Sequence, residues 1–433
     1  MLEEKIHDKK PLYSKTAARA ESSRCLFCHD APCITHCPTE INIPQFIRQI
    51  ANDDIKGAAV TILASNKLGY SCARVCPTEV LCVGACVYNH SDNAPIQIGR
   101  LQRFAVEVAE ERFGFLALLP NKRPPSGKKV ALIGSGPVSW SAAAELALLG
   151  HGVTIFEKKA VPGGLNSLGI APYKLQKKDA IKEIEWLSEL GIELRLNNEI
   201  SANSVGSLVK EYDALFLGVG LGEDKLLNID DLSGPGVYGA TALIEQIKND
   251  AHFDLSAVKI AHVIGGGNTA IDIAHELKLL GVEHVTMLYH RAEKDMSGYA
   301  HEIDAARKSG VVFREHEQLK ELVRDQNENM HITVFDSSEQ KSYKTQTDLV
   351  ALAIGQQKII DLAEALGVNL DSMGRVIIDE QTGRTSNLRV WSGGDCCSGG
   401  KEVVNAVQEG KIAALSIHEY LVSQKNDAEV ASA

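Results

Sequence analysis

The spacing of apolar positions changes character at about residue 120. Before it, apolar residues recur at helical intervals, as in Ile43-Pro-Gln-Phe-Ile-Arg-Gln-Ile-Ala51 and Ile55-Lys-Gly-Ala-Ala-Val-Thr-Ile-Leu63. That spacing predicts short helices with one apolar face, the first capped by Asn42. After it, short apolar runs lead into glycine turns and helical stretches, the pattern of parallel strands with crossover helices. Between the two lies Pro120-Asn-Lys-Arg-Pro-Pro-Ser-Gly127, a linker by composition, with prolines, charges and no periodicity. The expectation is an α/β chain: a helical domain over 1–120, then two Rossmann-like three-layer domains.

The first strand of the second part, Lys129-Val-Ala-Leu-Ile133, runs into Gly134, Ser135, Gly136 and Pro137 and then a helix. A second strand, Val153-Thr-Ile-Phe-Glu157, ends in an acid. This is the dinucleotide fingerprint in its full context. Gly134 permits the tight turn, Gly136 lets backbone approach a pyrophosphate, and the helix N-terminus meets the negative charge. Glu157 is placed to bind the adenosine ribose, and Ser139 stands where a third glycine is usual.

The fingerprint recurs. Ile260-Ala-His-Val-Ile264 leads to Gly265, Gly266, Gly267, Asn268 and Thr269, and the next strand, from Val285, ends in His290 and Arg291 with Lys294 beyond. An acid there would bond a ribose 2′-hydroxyl, whereas cations suit a 2′-phosphate, so the local chemistry leans to NADPH. The plain alternative is a solvated basic strand end. Two such units imply one bound flavin and one exchangeable nicotinamide. Near the C-terminus a strand closes on Gly394 and Asp395, and a helix opens at Val403 and Val404. In two-dinucleotide flavoproteins this element returns to the first domain, the Asp meeting the ribityl chain and the helix facing the isoalloxazine. FAD is therefore expected with 127–225 and 348–433, and NAD(P)H with the insertion 226–347, where Gly164 of Pro162-Gly-Gly joins the flavin site.

Composition narrows the class. At 433 residues, 44% hydrophobic and 23% charged, the chain has ordinary globular material for several domains. No apolar run reaches the roughly 18 residues that span a bilayer. A net charge of -11 argues against nucleic acid as a partner. The opening MLEEKIHDKK is a charged run with no apolar signal region, which points to the reducing cytoplasm.

Eight of the ten cysteines fall in two clusters, Cys25-x2-Cys28-x4-Cys33-x3-Cys37-Pro and Cys72-x3-Cys76-Pro-x4-Cys82-x3-Cys86. Close thiolate spacing with Cys-Pro is how [4Fe–4S] cubanes are held, the last cysteine of a run often crossing to the other cluster. Spacing thus assigns Cys25, Cys28 and Cys33 to one cluster and releases Cys37 to a second. Disulfides suit short secreted chains, and zinc prefers separated pairs with His partners. Cys396 and Cys397 are read as loop filler, because a bridge between adjacent cysteines is strained.

Taken together these motifs resemble the electron-input half of dihydropyrimidine dehydrogenase, and above all the NAD(P)H-oxidising subunit of the bacterial two-subunit enzymes. More distantly they are similar to the glutamate synthase small subunit. The likeness spans the chain: Cys-Leu-x-Cys-x-Asp-Ala-Pro-Cys, Cys-Pro-Thr-x-x-Leu-Cys-Val-Gly-x-Cys, the segment from Ala94 to Gln102, Gly-x-Gly-Pro and Pro162-Gly-Gly. The resemblance implies that Cys25, Cys28, Cys33 and Cys86 hold one cluster and that Cys37, Cys76, Cys82 and Gln102 hold the other. Composition alone would choose Cys72 over Gln102. Electrons would pass from NAD(P)H through FAD and both clusters to an FMN-containing catalytic subunit, in a hetero-oligomer, for reduction of uracil or thymine. No catalytic side chain is expected for the hydride step. Departing from the family, Gly169-Ile-Ala-Pro-Tyr-Lys-Leu-Gln suggests altered flavin packing. A glutamate synthase small subunit, a free-standing NAD(P)H:ferredoxin reductase and a non-enzymatic assembly subunit are the alternatives.

Overall fold

Two parallel five-stranded sheets, one grown from each glycine turn, organise the computed structural model, which describes residues 8–431 apart from 231, 233 and 251. The strands are β1 (Lys129–Ile133), β2 (Gly152–Phe156), β3 (Glu193–Arg195), β4 (Ala214–Leu217), β5 (Val237–Gly239), β6 (Ile260–Ile264) and β7 (His284–Tyr289). They continue as β8 (Val311–Glu315), β9 (Glu317–Arg324), β10 (Met330–Asp336), β11 (Lys341–Thr347), β12 (Leu349–Leu352) and β13 (Val390–Ser392). The first sheet has the order β13-β4-β1-β2-β3 and the second β5-β12-β6-β7-β8, while β11-β10-β9 form an antiparallel sheet. Register in the first sheet sets Lys129 opposite Gly152 and Ile133 opposite Phe156. Parallel strands covered on both faces need apolar residues at every position, and β4 is buried throughout.

The chain divides into two compact units. One comprises Leu168–Lys177 and Gly222–Gln357 and carries the second sheet. The other comprises Lys9–Ser167, Lys178–Leu221 and the chain from Lys358, so the cysteine-rich helices and the first sheet belong together. One sequence expectation changes here. β12, expected to open the second flavin segment at 348, pairs with β5 and β6, and the division falls between Gln357 and Lys358. The segment from Gly169, expected to alter flavin packing, lies in the other unit. There Lys174 Nζ meets Asp272 at 2.6 Å and Glu302 at 2.7 Å, and the Tyr173 hydroxyl donates to Asp272 at 2.7 Å. Buried carboxylates demand such partners, and that requirement fixes where the segment goes.

In the cysteine-rich region the expected helices appear as Ile43–Ala51 and Ile55–Ser65, joined by Gly69–Val75 and Ile98–Phe113. Asn42 caps the first, its Oδ1 accepting from Gln45 N at 3.2 Å. Phe46, Ile47 and Ile50 turn inward against Ile62, Leu63 and Leu101, in one core that runs on to Trp140 and Trp186 of the flavin-type half. The C-terminal helix spans Val403–Ala431. It is fastened to helix Pro137–Leu148, where the Ser141 hydroxyl donates to the Val407 carbonyl at 2.6 Å. Among the described residues no helix is long and apolar enough to cross a membrane.

Candidate cofactor and cysteine sites

The first glycine turn is a cradle. Gly134 has φ 91°, and a Cβ there would lie 2.5 Å from the Gly218 carbonyl oxygen. Gly136 is the N-cap of helix Pro137–Leu148, and no side chain caps that helix, so its first amides face the space over the turn. Gly164, at φ 55°, packs so closely that its Cβ would sit 2.9 Å from Gly136 Cα. Ser139 presses on the crossover, where a Cβ on Gly218 would lie 2.2 Å from its hydroxyl oxygen. Glu157 is buried, and its Oε2 accepts from Ser135 N at 2.9 Å and the Ser135 hydroxyl at 2.6 Å. Its Oε1 accepts from Lys159 N at 2.8 Å. The acid therefore braces the turn from the end of β2. Gly394, with φ 76°, donates its N–H to Glu409 at 2.6 Å, and Asp395 accepts from Lys401 N at 3.1 Å. Burial pushes the Asp395 carboxyl up, with the nearby Lys358 opposing. Uncapped amides above side-chain-free glycines fit a dinucleotide pyrophosphate, and thus FAD. Cys396 and Cys397 sit on the short helix Asp395–Ser398 with sulfurs 4.0 Å apart.

The second turn opens on a cavity of about 600 Å³. Gly265 has φ 143°, and a Cβ there would meet the Ala353 carbonyl oxygen at 2.4 Å. A Cβ on Gly266 would lie 2.7 Å from the Tyr289 ring, and Gly267 is the N-cap of helix Asn268–Leu279, again with no side-chain cap. Thr269, His290 and Arg291 line the cavity, while Asn268 is turned away to accept from Tyr299 N at 3.0 Å. His290 and Arg291 are exposed at its edge, and the Arg291 guanidinium lies 5.4 Å from the centre of the Tyr289 ring. Glu317 also lines the cavity and accepts from the Tyr343 hydroxyl at 2.7 Å. Sequence reasoning missed Glu317, which comes from the antiparallel strands and carries no motif.

Cys25, Cys28, Cys33 and Cys86 line one cavity, so the structure gathers the first expected ligand set. They surround a space and do not converge on a point: among the described residues no group of three or more His, Cys, Asp or Glu side chains suits a single metal ion. Burial raises the Cys25 thiol and pushes Cys33 up to about 12, with neighbouring thiols adding to both. Iron would reverse this, since a coordinating thiol is deprotonated outright. Arg48, a cation opposing the rise at Cys25, is exposed.

The second set is assembled differently. Cys37 and Cys82 are each 8% exposed, and Cys82 is raised by burial and then by Cys76 and Cys37, so these three lie together. Lys10 pulls the other way. It is 7% exposed, and its Nζ donates to the Cys76 carbonyl at 2.6 Å. Gln102 lies on helix Ile98–Phe113 one turn after Gly99, where a Cβ would be 3.5 Å from Lys10 Nζ. Its amide nitrogen donates to the Gly69 carbonyl at 2.8 Å, which leaves the amide oxygen as the available donor atom. Cys72 is buried one turn before Cys76 and hydrogen-bonds its thiol, so proximity alone does not favour Gln102 over Cys72. Glu402, just before helix Val403–Ala431, bears on Cys76.

A carboxylate from the flavin-type half braces this second site. Glu183, buried on helix Lys177–Ser188, accepts from Tyr70 N at 2.9 Å and Ser71 N at 3.1 Å. Those amides open helix Gly69–Val75, whose C-cap is Cys76 and whose Gly69 carbonyl orients Gln102. Thiolates grouped with a buried cation and a neutral amide fit an iron–sulfur cluster in their chemistry.

The chain matches two family models: "dihydropyrimidine dehydrogenase domain II, 4Fe-4S cluster" over residues 3–113, and "pyridine nucleotide-disulphide oxidoreductase" over 128–410. It is 34% identical over 412 residues to the NAD-dependent dihydropyrimidine dehydrogenase subunit PreT of Escherichia coli K12, covering 95% of this chain and 96% of that one. It is 31% identical to the glutamate synthase [NADPH] small chain of the same organism, over 94% and 92% of the two chains. Among solved structures, T. acidophilum thioredoxin reductase superposes with a TM-score of 0.55 at 20% identity, over 68% of this chain and 99% of that one. That likeness is one of fold.

Proposed function

We propose a specific role for a chain that belongs to the family of the NAD-dependent dihydropyrimidine dehydrogenase subunits and glutamate synthase small chains: it is the electron-input subunit for reduction of a pyrimidine base. Family membership makes it an NAD(P)H-dependent oxidoreductase with FAD and 4Fe–4S clusters. The finer reading adds a separate FMN-containing subunit as acceptor and uracil or thymine as the final substrate. When bound, FAD takes hydride from the nicotinamide, and each cluster carries single electrons.

The chain's own residues position these groups. Gly134 and Gly136 admit the flavin pyrophosphate to the amides of helix Pro137–Leu148, and Glu157 keeps the turn in shape. The observation that carries the reading is the arrangement within one unit: flavin cradle, second cysteine site beside Glu402, and first cysteine site lining its own cavity. This favours an order in which Cys37, Cys76, Cys82 and Gln102 serve the flavin and Cys25, Cys28, Cys33 and Cys86 serve the partner.

Anaerobic purification from the native cell, followed by uracil-dependent NADH and NADPH oxidation, tests it. Co-purification of an FMN subunit with uracil-driven oxidation supports the role. A chain that purifies alone, or with a glutaminase-type partner, and ignores uracil leaves only a flavin–iron–sulfur reductase. For the nicotinamide we favour NADPH, because His290 and Arg291 at the cavity edge form no ion pair among the described residues. Arg291→Ala is expected to raise the KM for NADPH roughly tenfold, the loss of one charge-assisted hydrogen bond, and to leave NADH unchanged. Equal effects on both would remove the preference.

A further inference from the structure

We propose that Lys10 sets the reduction potential of the second cluster, as a buried cation held against two of its ligands. The inference rests on the reading of Cys37, Cys76, Cys82 and Gln102 as a cluster site. Lys10 sits far from these residues in sequence, yet its ammonium is tied to the Cys76 carbonyl at 2.6 Å and its charge bears on both Cys76 and Cys82. Its place is held from behind, because the buried Arg103 donates to the Lys10 carbonyl at 2.5 Å. Two acids also bear on this site: the exposed Glu79 acts on Lys10 and the half-buried Glu402 on Cys76, whereas Lys10 itself is 7% exposed.

The physical consequence follows from charge. Reduction by one electron makes a cluster one unit more negative without forming or breaking a bond to the protein. A fixed positive charge in a low-dielectric setting favours the more negative state, so it raises the potential. Burial lowers the Lys10 ammonium from its usual range, and Cys76 and Cys82 beside it oppose that lowering. At the first cysteine site the cation that bears on Cys25, Arg48, is exposed. Lys10 is therefore a positioning and tuning residue for one cluster alone.

The test is a potentiometric titration followed by electron paramagnetic resonance on the whole, cluster-loaded chain, with iron and sulfide counted first. Lys10→Met keeps the stem and removes the charge, and Lys10→Arg keeps the charge. The expected result is one midpoint moved to lower potential in Lys10→Met, the other midpoint unmoved, and Lys10→Arg close to wild type. Unmoved midpoints in a fully loaded Lys10→Met protein overturn the proposal. So does an equal shift in Lys10→Arg, which would mark a packing role, and so does loss of the cluster from both variants. Wild-type protein with fewer than two clusters defeats the underlying site reading as well, and the iron count reveals that before any titration.

Discussion

The two cysteine sites use the same residue type and diverge in almost everything else. The first takes three of its four thiols from one short stretch, Cys25 to Cys33, lines a cavity beside exposed Leu26, and has an exposed arginine bearing on Cys25. The second, as proposed, draws Cys37, Cys76, Cys82 and Gln102 from separate segments, with a buried lysine at Cys76 and Glu183 of the flavin-type half bracing the helix that ends there. One site is local and open, the other tertiary and electrostatically conditioned. The difference suits opposite ends of a relay: a site that meets another protein needs a face, and a site between cofactors needs a fixed environment.

The widest separation between them comes from removing a thiol at each. Cys82→Ser should abolish the second cluster and cut delivery to the partner by at least a hundredfold, while NAD(P)H still bleaches the flavin. Cys33→Ser should abolish delivery equally but leave one cluster reducible by NAD(P)H, seen by electron paramagnetic resonance. If the outcomes are exchanged, with a cluster reducible only in Cys82→Ser, the order of the sites is reversed.

That contrast also explains what the sequence disclosed. Gly134, Gly136 and Gly265 are legible because turn, helix start and strand are contiguous, and at Gly134 and Gly265 a side chain would collide with a neighbouring carbonyl. The grouping of Cys25, Cys28 and Cys33 is legible for the same reason. Gln102 is not, since an amide inside a helix carries no spacing signal, and only family resemblance raised it. Lys10 is less legible still: within Asp8-Lys9-Lys10 it reads as solvated charge, and its role depends on a carbonyl 66 residues away. The boundary near 348 was misplaced because an apolar run such as β12 does not say which sheet it joins; pairing with β6 decides it.

A smaller effect should follow from loosening the brace on the second site alone. Glu183→Ala leaves the buried amides of Tyr70 and Ser71 without an acceptor, a loss of roughly 2–5 kcal/mol that unfolding measurements should register. The second cluster should become labile before the first. Glu183 also predicts a pH dependence. Burial raises its carboxyl from 4.5 to about 7, against the pull of the Ser71 and Tyr70 amides and Arg74. A carboxyl raised by folding contributes most when protonated, so its contribution is full below pH 4.5 and falls as pH rises to about 7. The decline amounts to about 3 kcal/mol at 1.36 kcal/mol per unit. Glu183→Gln should flatten that part of the stability profile, and an unchanged slope would place the titration elsewhere.

The mildest expected effect concerns the open site. Leu26 lies between Cys25 and Cys28, lines their cavity and is 59% exposed, an apolar side chain left open among the described residues. If the first site faces the acceptor, covering Leu26 is worth about 1.5–3 kcal/mol, and Leu26→Asp should weaken productive docking about tenfold. Reduction of a small dye by NAD(P)H should not change, because flavin cradle, second site and Lys10 are untouched. The matching control is Val80, beside the second site and 45% exposed. Val80→Asp should leave docking as it is. Should Val80→Asp impair docking and Leu26→Asp not, the acceptor meets the second site, and the buried lysine there conditions the exit of electrons from the chain.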